Sequence, residues 1–197
     1  MKMMRFTILL LLASTSFAAE TPKSSLQDQI IEKVIKNDPI CKTCKIIVQK
    51  KKYDFIVNHE VYEVTTFDIL PPPAWHVAVR NGKDLLFLDR RKVDDWNNVI
   101  AHEKIDLDKD DKVVQYTKFF LSTTMNQSEY IDKLLKGEID RIEAKEKKKI
   151  DAETKIVRSD DKIQIVFYAN DTQGDLQQWN LVLNKTGEIL KIQERSF

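Results

Sequence analysis

The chain has 197 residues, 32 basic and 31 acidic, and a formal net charge of +1 with neutral histidines. That balance excludes the basic excess of a nucleic-acid-binding domain and an overall positive field that would attract anionic membranes. Four glycines and five prolines are too few for a low-complexity chain, and the length suits one substantial core or two small ones.

The N-terminus reads as a secretory signal peptide. Lys2 and Arg5 make a short basic start, Phe6 to Leu12 an apolar run, and Ser14 to Ala19 are small apart from Phe17. Ser16-Phe17-Ala18 fits the small-x-small rule and places cleavage after Ala18. The run is shorter than the roughly 20 residues of a membrane span, which favours a cleaved signal over an anchor. No cysteine stands at the cleavage site, and no later segment is long and apolar enough to span a bilayer. The expected mature chain, 19–197, is soluble, periplasmic or secreted, and carries 30 basic against 31 acidic residues.

Ser24 and Gln27 have the spacing of a capping box, and Leu26, Ile30, Ile31, Val34 and Ile35 form one helical stripe that Asn37-Asp38-Pro39 should end. Strands are expected at Ile46 to Val48, at Tyr53-Phe55-Val57 and at Tyr62-Val64-Thr66, with a turn at 58–60. Pro71-Pro72-Pro73 reads as a stiff connector. Trp75, Val77 and Val79 alternate, Asn81-Gly82 suits a type I′ turn, and Leu86 and Leu88 return the chain.

Val93, Trp96 and Ile100 predict a short helix, and Val113 to Leu121 an acid-capped one. Asn126 and Glu129 suggest a cap for a helix carrying Ile131, Leu134 and Leu135. The charged stretch 136–155 interleaves both signs, as a solvated helix or loop does. The alternating runs at Ile163-Ile165-Phe167, at Trp179-Leu181-Leu183 and at 189–193 are joined by turns at 171–174 and 184–187 and make a closing meander. The expectation is an α+β fold: an N-terminal amphipathic helix, antiparallel hairpins, central short helices and a C-terminal meander. It forms a single domain over 19–197, or two subdomains that meet near 90–110 or at a charged linker over 136–155. No internal sequence repeat is evident.

Cys41 and Cys44 are the only cysteines. In an oxidising compartment they should pair with each other. A redox dithiol is one alternative, with Lys42 and Lys45 lending positive charge, and a metal half-site or intermolecular pairing is the other. The strand-like segment after Cys44 and the lack of a thioredoxin-like βαβ pattern favour a staple, so Cys41 and Cys44 are assigned to a disulfide. His59, His76 and His102 are scattered and read as surface residues rather than zinc ligands.

Asp106, Asp108 and Asp110 begin like a calcium loop, but Asp111 and Thr117 stand where glycine and glutamate belong. An acidic helix cap explains the cluster more simply. Asn126, Asn170 and Asn184 open glycosylation sequons, which matter only in a eukaryotic host. No catalytic motif, metal site or cofactor is nominated.

The segment "LDKDDKVVQYTKFFL", from Leu107 to Leu121, with "FYANDTQGDLQQWNLVLNKTGEI" downstream, resembles an uncharacterised bacterial domain. The shared pattern is an acid-capped helix bearing Tyr116, Phe119 and Phe120, then two strands and a glycine turn. The resemblance covers the second half at most and implies no reaction. Function is therefore expected to be recognition of a protein partner in the envelope or exterior, by an inhibitor, an immunity-type protein or an accessory factor. The alternative is a thiol-disulfide accessory protein using Cys41 and Cys44.

Overall fold

The computed structural model describes residues 24–37, 43, 45–66, 73–124, 129–147, 149–171 and 174–197. The signal peptide, both cysteines, Pro71, Pro72 and Asn126 lie outside these residues.

Helix α1 (Leu26–Asn37) is followed by a four-stranded antiparallel sheet in sequential order: β1 (Ile46–Lys51), β2 (Glu60–Thr66), β3 (Ala74–Arg80) and β4 (Asp84–Leu88). Two helices follow, α2 (Val93–Ile100) and α3 (Asp110–Thr124), then the short strand β5 (Glu129–Ile131) and helix α4 (Lys136–Glu146). Strands β6 (Lys155–Arg158), β7 (Lys162–Asn170), β8 (Leu176–Asn184) and β9 (Ile189–Ser196) form, together with β5, the second, five-stranded sheet. Both β5 and β6 pair with β7, end to end along one edge, and β9 is the opposite edge. The fold is α+β with a C-terminal meander, and it uses one plan twice: a helix followed by a four-stranded meander.

Alternation along the strands decides the layers. Val64, Val77, Val79 and Phe87 face α1, where they meet Ile30 and Val34. Val61, Ala78 and Leu88 face the other way, onto Trp96 and Ile100 of α2 and onto α3. Ile165, Phe167, Trp179 and Leu181 of the second sheet close on the same two helices, so α2 and α3 are sandwiched between the sheets. A small outer cluster of Leu134, Ile142, Tyr168 and Leu176 seats α4 on one end of the second sheet.

Polar bonds pin this sandwich. Trp96 donates its indole N–H to the Tyr116 hydroxyl at 2.9 Å, and that hydroxyl donates to the Gly187 carbonyl in the β8–β9 turn. Full burial pushes the Tyr116 phenol pKa far up, so it remains a donor. Gly187 sits at φ +89°, and a Cβ there would come within 3.3 Å of Ile105.

Several expectations need correction. The first helix is capped by Ser25, one residue later than expected: its Oγ accepts from the Asp28 N–H at 3.2 Å, and Asp28 accepts from the Ser25 N–H at 3.0 Å. Residues 53–57 are not a strand. Tyr53 and Phe55 pack on Phe119 of α3 from a loop, and the N–H of Val57 binds a side chain instead of a ladder. Residues 129–131 are strand rather than helix, because the edge of β7 offers Glu129, Tyr130 and Ile131 partners at Asn170, Ala169 and Tyr168. The helix there starts only at Lys136, with Leu135 at its cap. The hairpin is as expected: Asn81 and Gly82 hold φ of 53° and 66°.

Candidate functional site

Two places combine a pocket with organised polar groups. The first is the loop between β1 and β2. The buried carboxylate of Glu103, just past α2, accepts from the backbone N–H of Val57 at 2.7 Å and of Asn58 at 3.0 Å. It also meets Nδ1 of His59 at 2.8 Å. These donors outweigh the burial that opposes them and hold the Glu103 pKa below the ordinary carboxylate range. Because the Glu103 carboxylate can only accept, Nδ1 of His59 is the donor in this contact. His59 lines a pocket of about 490 Å³ together with Lys50, Lys51, Lys52 and Tyr53. The clamp presents Val57, 81% exposed, on a fixed loop.

Chemically this is an oriented imidazole beside lysines and a tyrosine. Lys50 is bound to Glu60, and Lys51 to Glu63 at 2.8 Å. Burial, aided by Glu63, pushes the Tyr53 phenol up to about 12. The histidines correct the surface expectation. His59 and His76 are buried, and only His102 is exposed. His76 faces Glu63 at 3.6 Å from the inner side of β3.

The second place is larger, an open groove of about 560 Å³ beside β9. Its floor is Trp179. One wall is the β4–α2 connector, with Arg90 and Arg91, and the first residue of α2, Val93; the other is β9, from Ile189 to Glu194. The connector is held firmly. Arg91 grips Asp89 through two side-chain nitrogens, at 2.9 and 2.6 Å, and the Arg90 N–H reaches the Thr124 carbonyl at 3.3 Å. Burial raises the Asp89 pKa, but the Arg91 bonds outweigh it and the net shift is downward. The Arg90 guanidinium lies 5.2 Å from the centre of the Trp179 ring and bonds Glu194 at 2.7 Å. The indole N–H of Trp179 is buried without an acceptor among the described residues.

The β9 wall is also the free edge of the sheet. Phe197 donates to Leu176 and Asn184 to Glu188, so residues 188 and 197 turn their backbone toward β8. Alternation, with a one-residue irregularity at Leu190, turns the N–H and C=O of Ile189, Ile192, Glu194 and Ser196 outward. Asn97 occupies the first of these positions: it donates to the Ile189 carbonyl at 3.0 Å and accepts from the Ile189 N–H at 2.8 Å. The other three residues make no further hydrogen bond within the described residues.

Cys41 and Cys44 fall outside the described residues, so their pairing is not visible. Of the aspartates that begin like a calcium loop, Asp106 accepts from the Asp108 N–H at 3.0 Å and Asp110 is held by Arg158 at 2.9 Å. Among the described residues no group of three or more His, Cys, Asp or Glu is placed to hold a metal. Among them, too, no helix is long and apolar enough to cross a membrane. Sequence reasoning missed both sites. Glu103 is 44 residues from His59 and Arg90 is 104 from Glu194, and no local pattern announces such pairs. The chain matches no family model, no curated protein and no solved structure.

Proposed function

We infer that this is an exported, non-enzymatic binding protein that recognises a protein partner through the groove beside β9. Export rests on the basic start, the short apolar run and the Ser16-Phe17-Ala18 site. The observation that carries the binding reading is a single juxtaposition. An apolar-floored groove, walled by the connector of Arg90 and Arg91, adjoins a strand edge whose outward backbone groups at Ile192, Glu194 and Ser196 make no further hydrogen bond among the described residues. A site that is largely preformed loses little conformational entropy on association. Leu190, 51% exposed, stands at the rim of the groove as an apolar contact. The disulfide of Cys41 and Cys44 serves, in this reading, as a staple between α1 and the first sheet.

Co-purification from the envelope tests the reading when it is made comparative. The wild-type chain and Leu190→Arg are expressed at equal levels and recovered under the same conditions. One protein retained by the wild type and lost from Leu190→Arg is the expected result. Identical protein sets from both chains contradict a role for the groove.

A further inference from the structure

We propose that β9 accepts an extended peptide segment of the partner as an additional antiparallel or parallel strand, one in which apolar residues alternate with acidic ones. The inference rests on the partner-binding reading and names what that partner presents. The first support is the edge itself. Ile192, Glu194 and Ser196 turn donors and acceptors away from β8, and Asn97 at Ile189 already shows a side-chain amide filling such a position. An incoming strand continues that row with main-chain bonds, which supply affinity irrespective of sequence.

The second support is the groove, which reads side chains. On β9, Ile192 pairs with Leu181 and Glu194 with Trp179, so both side chains share the inner face with the groove floor. Alternate residues of an added strand fall on that same face. There they meet Val93, Trp179, Ile189 and Ile192, an apolar lining. The third support is charge. Of the cations in the lining, Arg90 is paired with Glu194 and Arg91 with Asp89, so the positive charge left over is that of Lys191. Lys191 makes no ion pair within the described residues. A basic segment is repelled there and an acidic one is steered in. Lys191, Glu194 and Arg195 also guard the edge against indiscriminate pairing.

A randomised octapeptide display library panned on the mature chain tests this directly. The expected enrichment is for alternating Val, Ile or Leu with Asp or Glu. Glu194→Pro removes one outward N–H while leaving the bonds of residues 193 and 195 to β8, and should weaken the selected peptide at least tenfold. Glu194→Gln keeps the N–H and removes the lone carboxylate, so it should bind as tightly or more tightly. Where Glu194→Pro fails to fold, amide exchange of the wild type decides: bound peptide should slow exchange at Ile192 and Glu194 at least tenfold. No enrichment, an enriched set without acidic residues, or unchanged exchange at both amides overturns the proposal. The Leu190→Arg comparison stands apart. If it still shows a groove-dependent partner, strand addition alone has failed.

Discussion

Asn97 binds both backbone groups of Ile189, the carbonyl at 3.0 Å and the N–H at 2.8 Å. One side chain of α2 thereby ties the middle of the sandwich to the edge of the second sheet and closes the first rung of an otherwise open strand. Removing it should have a measurable cost. Asn97→Leu forfeits two hydrogen bonds and leaves two partly buried backbone groups unpaired, about 2 kcal/mol in sum. For a chain of this size the melting temperature should fall by roughly 5 °C. Asn97→Asp keeps the acceptor and should lose less. An unchanged melting temperature in Asn97→Leu would show the bonds to be idle.

Acid should weaken the fold through His76. Burial lowers its pKa from 6.5 to about 4, more than the neighbouring Glu63 raises it. A group with a depressed folded pKa stabilises above its unfolded pKa, and that stability is lost as pH falls. Here the loss runs from about pH 6.5 down toward about pH 4 and amounts to about 3 kcal/mol. Urea melts at a series of pH values should show this slope in the wild type and a shallower one in His76→Phe. Equal slopes would remove His76 from the account.

Glu103 should matter more than a surface carboxylate. Glu103→Ala strands the N–H groups of Val57 and Asn58 and the Nδ1–H of His59. The buried His59 donor left unpaired costs about 1–3 kcal/mol and the part-buried N–H groups of Val57 and Asn58 less, so a loss of about 2 kcal/mol is expected. Amide exchange at Val57 and Asn58 should accelerate while α3 remains protected. Uniform destabilisation with no local opening would argue against a clamp.

Processing has a mass signature. Intact-mass analysis of exported material should show a chain starting at Ala19 with Cys41 and Cys44 two hydrogen atoms lighter than the dithiol. A chain retaining residues 1–18, or free thiols in material recovered with alkylation, contradicts the expectation on which export and the staple rest.

What could be read from the sequence was what repeats at short range. The α1 stripe, the Asn81-Gly82 hairpin and the final meander each follow from periodicity within a dozen residues, and the structure holds them all. Where the local pattern failed, a distant partner had intervened. Tyr53, Phe55 and Val57 alternate like a strand, yet α3 takes the aromatics and Glu103 takes the Val57 N–H. Ile131 and Leu134 have helical spacing, yet β7 claims Ile131 for a ladder. The groove was invisible for the same reason: Arg90, Trp179 and Glu194 meet only once both sheets have closed on α2 and α3. The twofold use of a helix and meander was equally hidden, because packing demands only the alternation of apolar residues and not their identity.

Site-specific photo-crosslinking tests the partner groove most directly. A photoreactive side chain replaces Leu190 at the groove, or Val157, 48% exposed on the opposite edge of the same sheet, as the matched control. Irradiation of exporting cells should yield one discrete higher-mass adduct from position 190 and none from position 157. The same adducts from both positions, or none from either, would contradict the assignment of the β9 groove as the partner-binding surface.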